Sequence, residues 1–167
     1  VGEGFEYRAQ AQSLDSEVGK LLRMASDGTT LPDNPFPSAA PRVYSYGHRN
    51  PQGLAVDPVD GTIWMTEHGP KGGDELNKIV PGTTYGWPAI TYGVDYSGAI
   101  ISPYTEAEGM AQPVKYRVPS IATSGLAIYR GEGFPDWQGS LLIGALADET
   151  LYRPEPAGDG FNQTEPF

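Results

Sequence analysis

The 167-residue chain is 38% hydrophobic, enough for one well-buried core, and its 22 Gly and 16 Pro without a Gly-X-Y period argue for short strands joined by many turns rather than helical bundles or collagen. With 11 Lys and Arg against 21 Asp and Glu the formal net charge is −10 and no basic patch gathers to neutralise phosphates, so nucleic acid is not an expected partner. No apolar run is long enough to span a membrane, and the lack of cysteine excludes disulfides, thiolate zinc sites and thiol catalysis while leaving the compartment open.

Along the chain, Glu6 to Ser16 carries a short, polar, poorly capped helical signal, and Gly19 to Met24 reads as a strand that ends a unit, followed by Asp27-Gly28. Thr30 to Pro37 reads as a loop. A weak internal repeat then appears: Gly53-Leu54-Ala55-Val56 recurs 72 residues on as Gly125-Leu126-Ala127-Ile128. The first copy leads through Asp60-Gly61 to Thr62-Ile63-Trp64-Met65, and the second through Gly139 to Ser140-Leu141-Leu142-Ile143. Two hairpins of one design are expected, with Asp60-Gly61 as a two-residue turn tolerant of positive φ and Pro135 to Gly139 as a looser corner. A further strand closes each unit, Glu75 to Val80 in the first and Thr150 to Arg153 in the second, with Asp159-Gly160 following the latter. Tyr92 to Pro113 lacks alternation and reads as a long loop.

Repeated small antiparallel sheets, none able to bury both faces alone, are the pattern of a β-propeller. The expected class is therefore all-β, with about three blades, and closure typically takes four to eight. Residues 1–167 read as one partial propeller domain, incomplete at both ends.

Three clusters carry candidate chemistry. Tyr46-Gly47-His48-Arg49-Asn50-Pro51-Gln52-Gly53-Leu54 places a guanidinium fork and an amide at a strand mouth, suited to an anionic polar ligand; its bland reading is a turn whose arginine pairs with a surface carboxylate. Glu67-His68-Gly69-Pro70-Lys71-Gly72-Gly73-Asp74-Glu75-Leu76 forces a tight, exposed backbone with outward carbonyls near two carboxylates, an oxygen-rich setting for calcium, or simply a glycine-rich surface turn. It fits neither an EF-hand nor a Walker loop, and two isolated histidines make a poor zinc site. The third cluster, Tyr85-Gly86-Trp87-Pro88 with Asp95 beyond it, reads on residues alone as packing. His48 and His68 are the only candidates for a neutral-pH base, and neither has an orienting partner visible in sequence; Ser120 and Ser124 lack a nucleophile elbow.

Taken together, these segments closely resemble the soluble quinoprotein glucose/sorbosone dehydrogenase family, with the aldose sugar dehydrogenase branch nearest. The weaker segments Asp33-Asn34-Pro35-Phe36, Pro119-Ser120-Ile121-Ala122 and Leu142-Ile143-Gly144-Ala145-Leu146 extend the likeness over most of the chain. The resemblance implies a six-bladed propeller, periplasmic or secreted, that binds pyrroloquinoline quinone and calcium and oxidises the anomeric carbon of aldoses to lactones. It implies that Arg49, Asn50 and Ser120 contact the quinone. The carbonyls of Gly69 and Pro70 would hold its calcium, and Glu75, Tyr85 through its carbonyl, and Asp95 would serve a second, structural calcium, with Asp74 as a neighbour.

The implied partners are an aldose, an unspecified electron acceptor and further chain segments that complete the propeller. The sequence departs from the family pattern where Ala147 replaces a cofactor-binding lysine of some branches and where Thr123 replaces a common proline. The family's histidine base is expected in an earlier blade, and neither His48 nor His68 is its equivalent. A non-catalytic, calcium-binding propeller module for carbohydrate or protein is the alternative. A lactonase-like hydrolase ranks last, because such sites need several carboxylates around one metal.

Overall fold

The computed structural model describes residues 1–157 and 160–162. Strand β1 (Lys20–Leu22) pairs antiparallel with β2 (Val43–Tyr46). Strands β3 (Pro51–Val56), β4 (Ile63–Glu67), β5 (Asp74–Ile79) and β6 (Lys115–Arg117) form a four-stranded antiparallel meander in that order. Strands β7 (Thr123–Ile128), β8 (Leu141–Ala145) and β9 (Thr150–Tyr152) form a third sheet, and β10 (Pro156–Ala157) pairs with β11 (Gly160–Phe161). No α-helix occurs among the described residues. The helical signal at Glu6 to Ser16 shortens to a 3-10 turn, Arg8–Gln12, with no side-chain cap on its first amide groups.

The meander is buried on both faces because its apolar residues alternate into two sets. Cross-strand pairing puts Trp64, Thr66 and Leu76 on one face and Ile63, Met65, Glu67, Glu75, Asn77 and Ile79 on the other. Trp64 and Leu76 pack into one core with Leu141, Ile143, Ala145 and Tyr152 of the third sheet, while Met65, Ile79 and Tyr85 pack with Leu21 and Tyr44 of the first. Burying each such aliphatic side chain contributes about 1.5–3 kcal/mol. Neither face is buried without the neighbouring sheet, which is the logic of stacked propeller blades.

Strands β3 and β7, the two copies of the internal repeat, meet at the blade junction. A Cβ on Gly53 would lie 2.6 Å from both Leu126 Cβ and Thr66 Oγ1, so glycine is what lets the two strands close. Thr66 Oγ1 donates to the Ser124 carbonyl at 2.9 Å, and Arg130 clasps Asp57 across the same junction with Nη2 to Oδ2 at 2.5 Å.

Three details differ from the sequence reading. The connection after β3 is not a two-residue turn at Asp60-Gly61: Val56 pairs with Ile63, and the Asp57 N–H extends the ladder to the Thr62 carbonyl at 2.8 Å. The Asp57 carboxylate builds the turn by accepting the Val59 N–H at 3.0 Å. Strands β2 and β6 were not expected, since three- and four-residue segments such as Lys115–Arg117 offer too little alternation to read. Asp159 lies outside the described residues.

Candidate active site

The meander's face toward the first sheet ends in polar residues. Register sets Glu67 directly opposite Glu75, with Asn77 two residues on, and Asn77 Nδ2 lies 3.0 Å from both Glu67 Oε1 and Glu75 Oε2. Burial, with Glu67 as the next cause, pushes the Glu75 carboxyl up to about 8, so it holds its proton at neutral pH. Glu67 is 3% exposed and collects two further donors. The Arg49 N–H reaches its Oε2 at 2.6 Å, and His48 Nδ1 lies 3.0 Å from Oε1. His48 is fully buried, bonded through Nε2 to Ser45 Oγ at 2.8 Å and stacked on Tyr85 at 4.8 Å between centroids. It is a framework residue that no substrate reaches.

Glu67 thereby fixes the backbone that presents Arg49. The Arg49 guanidinium does not pair with a surface carboxylate. It is 6% exposed and sits among three aromatic rings, with Phe5 and Trp87 at 5.4 Å and Tyr96 at 5.9 Å. Its Nη1 donates to the His68 carbonyl at 3.0 Å, while its Nε is buried without a partner. Burial raises the carboxyl of nearby Glu3 above its ordinary value, with the Arg49 charge opposing the shift, and Glu3 Oε2 is also unpartnered. Asn50 is half-buried beside it; its carbonyl accepts the His68 N–H at 3.0 Å and its Oδ1 accepts from Gln52 at 3.0 Å.

On the opposite face, Asp74 opens β5 and points to the third sheet. Its carboxylate accepts the Gly69 N–H at 3.1 Å, the Ile121 N–H at 3.0 Å and the Thr123 N–H at 3.2 Å. Ser120 Oγ lies 2.7 Å from each of its oxygens. The loop between β4 and β5 is folded so tightly that a Cβ on Gly69 would lie 2.2 Å from the Gly72 carbonyl oxygen. His68, bonded through Nε2 to the Thr123 carbonyl at 2.5 Å, shares with this loop the wall of a cleft of about 480 Å³. The rest of the wall includes Val94, Tyr96, Val118 and Ser120.

The candidates from sequence fall into two groups. Gly69, Pro70 and Ser120 line the cleft, and Arg49 and Asn50 stand directly behind it, each bonded to the His68 backbone. Gly69 and Pro70 are buried, not exposed as the loop's composition suggested, and among the described residues no hydrogen bond reaches either carbonyl, which leaves both oxygens without a partner. Glu75 and Tyr85 line a second, smaller cavity with Glu67 and Gly47, and Arg49, His68 and Gly69 line it too. Asp95 is not part of it: its carboxylate accepts the Ser97 N–H at 3.0 Å and the Ser97 hydroxyl at 2.8 Å and pairs with Arg8 at 3.3 Å, which hold it below the usual carboxylate range. Among the described residues no cluster of three or more His, Asp or Glu side chains is arranged around a metal.

Sequence reasoning gave no role to Glu67, whose donors lie up to 19 residues away, or to the ring set of Phe5, Trp87 and Tyr96. The nearest signal was the buried acidic residue ending an apolar strand, Ile63–Glu67, a position that demands partners.

A sequence model of the Glucose / Sorbosone dehydrogenase family matches residues 1–166. The chain belongs to the glucose/sorbosone dehydrogenase family. It is 45% identical over 165 residues to the aldose sugar dehydrogenase YliI of Escherichia coli (strain K12), an alignment covering 95% of this chain and 44% of that protein. A solved glucose dehydrogenase structure superposes with a TM-score of 0.94 at 47% identity, over 99% of this chain and 49% of that one. The PQQ-bound aldose sugar dehydrogenase of Streptomyces coelicolor superposes with a TM-score of 0.74 at 35% identity, over 96% of this chain and 42% of that one. The chain thus spans about half the length of these relatives.

Proposed function

We propose that the protein is a quinone-dependent sugar dehydrogenase that oxidises the anomeric carbon of an aldose to the lactone, with calcium and pyrroloquinoline quinone held at the cleft beside Gly69. The observation that carries this reading is the convergence of the Gly69 and Pro70 carbonyls, which accept no hydrogen bond among the described residues, Ser120, and the peptide tied to Arg49 around that one cleft. The donor set suits both groups. Two main-chain oxygens match a hard cation, and the unpartnered Arg49 Nε supplies a buried cationic donor for an anionic, carbonyl-rich ligand. When bound, the quinone supplies the hydride acceptor and calcium a Lewis acid.

The chain's own residues bind and orient. Gly69 and Pro70 would ligate calcium, and Asn50 and Ser120 would offer an amide and a hydroxyl to the quinone. Arg49, held by three rings and by the His68 carbonyl, would place a fixed positive charge where negative charge develops, at a site with little water to screen it. Glu75 and the Tyr85 carbonyl would hold a second, structural calcium, which would favour loss of the Glu75 proton. The base that takes the sugar hydroxyl proton is proposed to lie in a propeller segment outside these residues, since His48 is buried and His68 donates to Thr123. A six-bladed ring and a periplasmic or secreted setting belong to the same proposal.

The test is steady-state reduction of a redox dye by the full-length protein with an aldose. Turnover should require both added quinone and calcium and stop on chelation. Absence of turnover in protein reconstituted with both would overturn the proposal.

A further inference from the structure

We propose that Asp74 is the positioning residue of this site, one carboxylate that fixes Gly69, Ser120 and Arg49 relative to one another; its meaning for cofactor binding rests on the function proposed above. Asp74 is 2% exposed and stands where two blades meet. From its own blade it takes the Gly69 N–H, and from the next blade it takes Ser120 Oγ and the N–H groups of Ile121 and Thr123. Only a carboxylate has enough acceptor sites for four donors without presenting a donor of its own. The turn it holds includes Ala122 at φ 53°, a left-handed conformation that a non-glycine residue keeps only under outside restraint.

The reach of Asp74 extends one peptide further. The His68–Gly69 peptide donates its N–H to Asp74 and accepts Arg49 Nη1 on its carbonyl at 3.0 Å. A tilt of that peptide moves both the guanidinium and the Gly69 loop. Gly69 cannot relax independently, because backbone of Gly72 and Gly73 lies within 2.3 Å of where its Cβ would stand. Three candidate contacts from three segments therefore share one reference point.

The experiment compares Asp74→Asn and Ser120→Ala with Asn34→Ala, which removes a buried amide bonded to the Arg23 and Pro41 carbonyls, away from the cleft. Two readouts are taken: amide hydrogen exchange at Gly69 in chelator, and calorimetric titration with calcium alone. Asp74→Asn should speed Gly69 exchange at least tenfold and weaken calcium binding at least tenfold, because its amide NH₂ must face one of the N–H donors. Ser120→Ala, which frees the carboxylate to rotate, should produce a smaller change of about threefold in each, and it carries the test if Asp74→Asn does not fold. Asn34→Ala should change neither. Gly69 exchange and calcium affinity within twofold of wild type in both site variants would overturn the proposal, as would an equal calcium loss in Asn34→Ala. Wild-type protein that binds no calcium would count against the proposed function alone, since Gly69 exchange still decides the role of Asp74.

Discussion

Replacing Glu67 by Gln keeps the volume of a nearly inaccessible side chain and removes only its charge and one acceptor. Three donors converge on the carboxylate: the Arg49 N–H at 2.6 Å, His48 Nδ1 at 3.0 Å and Asn77 Nδ2 at 3.0 Å. Whichever way the new amide turns, its NH₂ faces a group that already donates. The loss is one or two charge-assisted hydrogen bonds at about 1.5–3 kcal/mol each, with one donor left unsatisfied at about 1–3 kcal/mol. Glu75, which holds its proton at neutral pH, adds no charge repulsion for the substitution to relieve. The expected net destabilisation is about 2–4 kcal/mol, or a fall in Tm of roughly 4–16 °C for a domain of this size. Urea unfolding at neutral pH, followed by intrinsic tryptophan fluorescence, measures it. A change below about 0.5 kcal/mol, the scatter of an ordinary surface substitution, would refute the claim that Glu67 holds the Arg49 backbone.

The blade junction gives a pH-dependent prediction. The Arg130 guanidinium holds the Asp57 carboxyl below its ordinary value of 3.8, so its contribution is fully present above about 3.8 and is lost as pH falls through the lower folded value. Urea midpoints of wild type and Asp57→Asn should differ by a constant amount, about 1–2 kcal/mol, down to that pH and converge below it; a difference insensitive to acid would contradict the clasp. At the cleft, Gly69→Ala forces its Cβ to within 2.2 Å of the Gly72 carbonyl oxygen, whereas Gly125→Ala meets nothing within 4 Å. Gly69→Ala should lower Tm and abolish the rise in Tm on adding calcium, with Gly125→Ala close to wild type in both; a preserved calcium response in Gly69→Ala would remove Gly69 from the site.

The blade repeat was legible because Gly53 and its copy Gly125 stand at the same place, third, in the two strands that meet at a junction, and only glycine at 53 permits the contact with Leu126. Arg49 was legible as a candidate contact, yet its surroundings were not, because Phe5, Trp87 and Tyr96 come from three separated segments. The contacts of Asp95 were not legible either: its carboxylate meets Arg8, 87 residues away in sequence, and the cavity lined by Glu75 and Tyr85 is formed without it. Asp74 read only as a neighbour of calcium because its acceptors are filled from Ser120 to Thr123, on the following blade. Side chains that join blades leave no trace in local periodicity. Their partners are set by how sheets stack.

The central claim, that the cleft beside Gly69 binds a calcium-held quinone with Arg49 as its cationic contact, is tested most directly by titrating pyrroloquinoline quinone into the full-length protein and following its absorbance. A saturable spectral change that vanishes with chelator, returns with calcium and weakens at least tenfold in Arg49→Ala is the predicted result. A change that ignores calcium, or an affinity untouched by Arg49→Ala, would contradict it.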